Sequence, residues 1–116
     1  MIAKRLLVVE DEPMISMMLE DWLIEMGFHV VGPASTVAAA LDLLGSDGVD
    51  GAILDVTLAH GTSYALADEL VRRSVPIVFA TGHSGATLEA RFAGVPMLAK
   101  PYDFDAVQKC VTSLLD

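Results

Sequence analysis

Leu6-Leu7-Val8-Val9-Glu10-Asp11-Glu12-Pro13 is the stretch that decides the fold of this chain. Four apolar residues run without alternation into three acids and a proline. A strand buried on both faces has this pattern, because a half-exposed strand would alternate apolar and polar positions. Pro13 suits the first turn of a helix, where its missing N–H costs no hydrogen bond. Ile15, Met18, Leu19, Trp22, Leu23 and Met26 then recur at helical spacing, and Gly27 suits the helix exit. Strand followed by helix is the first unit.

The same unit repeats outward from there. Phe28 to Val31 reads as a second strand, broken by Gly32-Pro33; Ser35 or Thr36 then caps a helix carrying Val37, Ala40, Leu41 and Leu44, ended by Gly45. Ala52-Ile53-Leu54 is a third buried run closing at Asp55. An irregular loop is expected from Val56 to Thr62, then a helix capped by Thr62 or Ser63 and packed through Leu66, Ala67, Leu70 and Val71. Ile77-Val78-Phe79-Ala80 ends at Thr81-Gly82. A weaker helix over 84–92 has Leu88 and Phe92 as anchors, with Gly85 lowering its propensity. Val95, Met97, Leu98 and Ala99 close at Lys100-Pro101. Asp103 caps a last helix facing inward through Phe104, Val107, Cys110 or Val111, and Leu114. Five strands alternating with five helices imply an α/β, doubly wound, mostly parallel sheet with helices on both faces. Order 2-1-3-4-5 is the commonest match for five strands, and ligands in such sheets sit beyond the carboxyl ends of the strands.

Composition narrows the function. The chain has 116 residues, enough for one domain, and 53% are hydrophobic, so a packed core is expected. Sixteen acids against seven Lys and Arg leave a formal charge of −9, which repels phosphate backbones and argues against direct nucleic-acid binding. Cys110 is the single cysteine, so no internal disulfide or cysteine-based metal cluster forms. No apolar run approaches the roughly 20 residues that span a bilayer, and Met1 to Arg5 lacks a secretion signal. A cytoplasmic location with no membrane partner is the expectation.

The polar residues at the strand ends carry the chemistry. Glu10, Asp11 and Glu12 follow the first strand, Asp55 the third, Thr81 the fourth and Lys100 the fifth. In order 2-1-3-4-5 they converge on one rim. Packed carboxylates repel one another, and a hard divalent cation relieves this directly. Asp11 and Asp55 are the expected direct ligands of Mg2+, with the backbone carbonyl of Thr57 as a third. Glu10 reaches the ion directly or holds a coordinated water, the second being favoured. Phosphoryl transfer to the Asp55 carboxylate fits this set. Lys100 adds positive charge to the phosphoryl oxygens, and the Thr81 hydroxyl donates to another. His29, His60 and His83 lie in different segments and suggest no zinc site.

Glu10-Asp11, Asp55, Thr81 and Lys100-Pro101-Tyr102 together resemble the response-regulator receiver domain of two-component signalling. The spacings from Asp11 to Lys100 are 44, 26 and 19 residues, and the resemblance runs from about Leu6 to Leu115. It implies one receiver domain over 1–116 with flavodoxin-like topology, phosphorylated on Asp55 as 4-aspartylphosphate by a histidine kinase or a histidine phosphotransfer protein. It implies Glu10, Asp11, Asp55 and the Thr57 carbonyl around Mg2+, with Mn2+ or Ca2+ able to substitute. Thr81 is then the switch hydroxyl, Lys100 the phosphate contact, Lys100-Pro101 a cis bond, and 82–102 the protein-interaction face. Self-phosphorylation from small acyl phosphates and self-dephosphorylation follow, rather than conventional enzyme turnover. A homodimer is allowed but not fixed.

Phe79-Ala80-Thr81-Gly82 is similar to the hallmark of a mostly stand-alone subgroup found in bacterial phosphorelays. Two positions depart from the general family: Leu58-Ala59-His60-Gly61 replaces the usual Met-Pro-Gly after the acceptor, and Met97 stands where a Tyr or Phe rotor is common. These departures motivate the alternative of a constitutive interaction module with vestigial phosphorylation. A small phosphatase or flavin binder is a third reading, opposed by the lack of a glycine-rich loop after the first strand. Glu12 has no required role, Tyr64 reads as ordinary surface, and Tyr102 is expected against the last helix.

Overall fold

The apolar runs assemble into the sheet for a simple reason: their side chains point alternately to two faces, and both faces need cover. A computed structural model describes residues 3–46, 48–58, 61–82, 88–100 and 102–115. Its strands are β1 (Arg5–Val9), β2 (His29–Ala34), β3 (Gly51–Asp55), β4 (Thr57–Leu58), β5 (Gly61–Thr62), β6 (Ile77–Thr81) and β7 (Met97–Ala99). Its α-helices are α1 (Pro13–Glu25), α2 (Val37–Ser46), α3 (Tyr64–Arg72) and α4 (Phe104–Leu115). The main sheet has order β2-β1-β3-β6-β7, all neighbours parallel, which is 2-1-3-4-5 for its five strands.

Leu7, Val9, Ala52, Leu54, Ile77 and Phe79 form one face of the core, covered by Ala40 and Leu44 of α2 and by Leu66, Ala67 and Leu70 of α3. Leu6, Val8, Ile53, Val78, Ala80 and Leu98 form the other, covered by Leu19 and Leu23 of α1 and by Val107 and Val111 of α4. Helix starts follow local chemistry. Pro13 opens α1, Thr36 Oγ1 accepts from Ala39 N–H at 3.1 Å to cap α2, and Asp103 Oδ1 accepts from Ala106 N–H at 2.8 Å to cap α4. Gly27 leaves α1 with φ +97°, a conformation that costs glycine little.

The expectation of five helices is overturned. Among the described residues there are four α-helices and one 3-10 turn, Ala90–Phe92. Glu89 is extended, with ψ 146°, and the 84–92 helix is not formed over 88–92. Short helices depend on a packed face for stability. Here the single turn Ala90–Phe92 suffices to bury Phe92. The strand β2 runs through Gly32-Pro33 instead of breaking there, with a register shift where Val9 pairs with Ala34. It lies at the sheet edge, where a residue without N–H is tolerated. Gly32 has φ +95°, and a Cβ there would lie 2.7 Å from Ala34 N.

The expected loop after Asp55 instead contains the antiparallel pair β4–β5, anchored by buried Leu58. Helix α2 passes Gly45 to end at Ser46. Leu41 and Val71, expected inside, are exposed, and of Cys110 and Val111 it is Val111 that is buried. No helix of the described residues is long and apolar enough to cross a membrane.

Candidate functional site

Parallel strands end together, so whatever follows their last residues is collected on one rim. Glu10 follows β1 directly; its N–H donates to Ala34 O at 2.9 Å, which fixes the turn out of the strand. Asp55 ends β3 and Thr81 ends β6, and both are buried, Asp55 being 7% exposed. Lys100 follows β7, with its N–H donating to Thr81 O at 2.8 Å. Backbone pairing thus brings four chemically active side chains from four separate segments to one place.

Glu10, Asp11 and Asp55 each present one carboxylate oxygen within 4.8 Å of the others. Lys100 Nζ stands 2.7 Å from Glu10 Oε1 and 3.1 Å from Asp55 Oδ2. The second carboxylate oxygen of Glu10, Oε2, accepts from Glu12 N–H at 3.1 Å. Beside these groups is a cleft of about 170 Å³ lined by Glu12, Asp55, Thr57, Thr81, Gly82 and Lys100. Tyr102, packed with Val107 and Val111 as expected, is buried next to the acids.

Burial pushes the Asp55 carboxyl up to about 6; Lys100 opposes that rise and the nearby Glu10 adds to it. Burial works to lower the Lys100 ammonium, but its contacts with Glu10 and Asp55 outweigh this and hold it above its ordinary value. Burial, followed by the neighbouring acids Glu10, Asp55 and Glu12, raises the Tyr102 phenol well above its usual range. Three carboxylates therefore face one ammonium in a partly dry pocket. That donor set fits a hard divalent cation held by oxygen ligands, since a second positive charge balances the excess acid.

All the residues named from the sequence that the structure describes lie on this rim: Glu10, Asp11, Asp55, Thr57, Thr81 and Lys100. The expected cis bond at Lys100-Pro101 and the positions of His60 and His83 lie outside the described residues. Met97, at the usual rotor position, is 40% exposed on β7. Two features escaped the sequence reading. Glu12 contributes a backbone N–H that orients Glu10, for which side-chain identity gives no signal. Tyr64, read as surface, packs against Phe79 and Phe92, a contact between segments far apart in the chain.

Residues 6–112 match the family model of the response regulator receiver domain. The phyllosphere-induced regulator PhyR of Methylorubrum extorquens is 32% identical over 121 residues, covering 97% of this chain and 44% of that protein. The chain spans about half the length or less of the first curated relatives it matches. Among solved structures, SdrG of Sphingomonas melonis Fr1 superposes with a TM-score of 0.85 at 44% identity, covering 98% of each chain. A BeF3-activated conformation of SdrG gives 0.85 at 45% identity over the whole of both chains.

Proposed function

This chain belongs to the response-regulator receiver family, whose members act in phosphorelay signalling, and on that premise we propose that Asp55 accepts a phosphoryl group from a histidine kinase or histidine phosphotransfer protein. The observation that carries the proposal is the Lys100 ammonium held against both Glu10 and Asp55 at the mouth of the cleft. An Asp55 oxygen forms the new P–O bond as the donor's P–N bond breaks, and the departing imidazole nitrogen takes a proton from solvent. Lys100 then shifts its charge from the carboxylates to the phosphoryl oxygens, and Thr81 donates its hydroxyl to one of them. Glu10, Asp11, Asp55 and the Thr57 carbonyl would hold Mg2+. When bound, the ion screens the negative charge of acceptor and phosphoryl group.

The finer reading extends this. Residues 1–116 form a single receiver unit of the Phe-Ala-Thr-Gly subgroup, supported by that motif at 79–82. It works in the cytoplasm, catalyses its own phosphorylation from small acyl phosphates and its own dephosphorylation, and presents 82–102 to a downstream protein. The test is incubation with acetyl phosphate and Mg2+, followed by intact-mass measurement. One phosphoryl group, about 80 Da, is expected on the wild type and none on Asp55→Asn. A folded wild type that gains no mass would overturn the acceptor role. The exposed Met97 favours one competing reading, a constitutive interaction module. Equal partner affinity before and after phosphorylation would establish that reading instead.

A further inference from the structure

Beyond the cleft, one polar cluster has no part in the phosphoryl chemistry. It sits on the opposite side of β6 from α1 and α4, where the 3-10 turn meets α3. Arg91 forms a planar two-bond fork with Asp68: Nε to Oδ1 at 2.9 Å and Nη2 to Oδ2 at 3.0 Å. Its third nitrogen, Nη1, pairs with Glu89. The guanidinium carbon lies 4.5 Å from the centre of the Phe92 ring and 5.8 Å from that of Tyr64. Tyr64 and Phe92 stack at 5.2 Å, and Phe79 meets Phe92 edge-on at 5.2 Å and Tyr64 at 5.9 Å. Tyr64 and Asp68 are four residues apart and share one face of α3.

This arrangement substitutes for a helix. The turn has only three residues and few hydrogen bonds of its own, namely Phe92 N–H to Glu89 O, Ala93 N–H to Ala90 O and Val95 N–H to Phe92 O. What seats it is the Phe92 ring below and the Arg91 fork above. Phe79 lies on the strand that ends at Thr81, two residues on and on the same strand face. Ring and guanidinium contacts therefore run from Phe79, two residues before the end of β6, through Phe92 to Arg91. On the neighbouring strand β7, Met97 pairs with Phe79 and offers no ring there.

We infer that the Arg91–Asp68 fork is a latch that seats residues 88–95 on α3, and that phosphoryl acceptance loosens it through Thr81 and Phe79. The loosening step rests on the acceptor reading of Asp55; the latch itself does not. Arg91 is a positioning residue: it holds the output segment and touches nothing in the cleft. Arginine serves better than lysine here, because lysine offers a point charge and cannot make the two-bond fork or the flat stack on Phe92. A solvent-facing latch of this strength can open without unfolding the sheet, as a switching element must.

Amide hydrogen exchange at Phe92, Ala93 and Val95 tests the inference in the intact chain. In unphosphorylated protein, Arg91→Gln raises exchange at these amides by about tenfold. Asp68→Asn does the same, the double variant is no faster than either single one, and Arg91→Lys is intermediate. Exchange in β1 and β3 stays unchanged. Wild type treated with beryllium fluoride and Mg2+ shows the same rise at the same amides. Unchanged exchange in Arg91→Gln, or additive effects in the double variant, would overturn the latch. Wild type whose mass shows phosphorylation but whose turn stays protected would overturn the loosening. A wild type that gains no phosphoryl group refutes the acceptor reading and the trigger with it, while the comparison among the unphosphorylated variants still decides the latch.

Discussion

The rim that follows β1 and β3 and the turn that follows β6 are both loops beyond a parallel strand, yet they are built in opposite ways. At the rim, backbone pairing of buried strands sets Glu10 and Asp55 side by side, and electrostatic stress accumulates there. At the turn, side chains from distant segments hold the backbone in place, and both acids, Asp68 and Glu89, are paired with Arg91. The rim is under strain mainly from buried charge, with Glu10 adding to it; the turn has its acids paired in the open and is weakly seated. A receiver needs both, since a stressed site can respond to a ligand while a weakly held segment can report that response.

The largest effect separating the two regions is expected from Phe92→Ala. Phe92 is 2% exposed and fills the space under the turn, so its loss lowers stability by about 3 kcal/mol. Denaturant unfolding measures that loss, and Mg2+ titration of the variant is expected to match wild type. A rim whose cation affinity collapses with Phe92 would show the two regions are not separable.

Next comes Asp55. Its carboxyl is raised from 3.8 to about 6 in the fold, so the folded state holds the proton more tightly than the unfolded chain does. The resulting stabilisation is complete below pH 4 and is lost as pH rises through about 6. In EDTA, Asp55→Asn is therefore expected to gain over wild type as pH rises from 4 to 7, by about 2 kcal/mol. Millimolar Mg2+ narrows the gap by stabilising wild type alone. A difference between the two proteins that does not vary with pH would mean that the rim carries no such stress.

A smaller effect is expected at Asp103, which caps α4 three residues after Lys100. Asp103→Ala costs about 1 kcal/mol in thermal or denaturant unfolding. The smallest concerns Cys110. Burial raises its thiol above the ordinary value, so iodoacetamide at pH 8 reacts more slowly with the folded chain than with the chain in denaturant. Equal rates would place Cys110 in looser contact with the core than its partial burial there suggests.

The two regions also differ in how far they could be read from residues alone. Leu6–Val9, Ala52–Leu54 and Ile77–Ala80 announce buried strands because they are unbroken and end in polar residues. The rim follows from those ends once the strand order is assumed. The turn could not be read this way. Leu88 and Phe92 have helical spacing, but the length of helix they support depends on Tyr64, Asp68 and Phe79, which lie up to 28 residues from Phe92 in the chain. Gly32-Pro33 misled for a similar reason: its tolerance within a strand depends on β2 being at an edge, a property of the whole sheet. Tyr64 looked like surface because its partners are remote in sequence.

That edge has a consequence for how the molecule meets others. An open sheet exposes unpaired amide and carbonyl groups along its two outer strands, inviting strand-by-strand polymerisation. On β2 the proline removes one donor and Gly32 turns the backbone out of the regular pleat, while β7 offers only three residues. Neither border gives an incoming strand a continuous ladder, so copies of this chain crowded together should stay dispersed, and any assembly must be made by side chains rather than by extending the sheet.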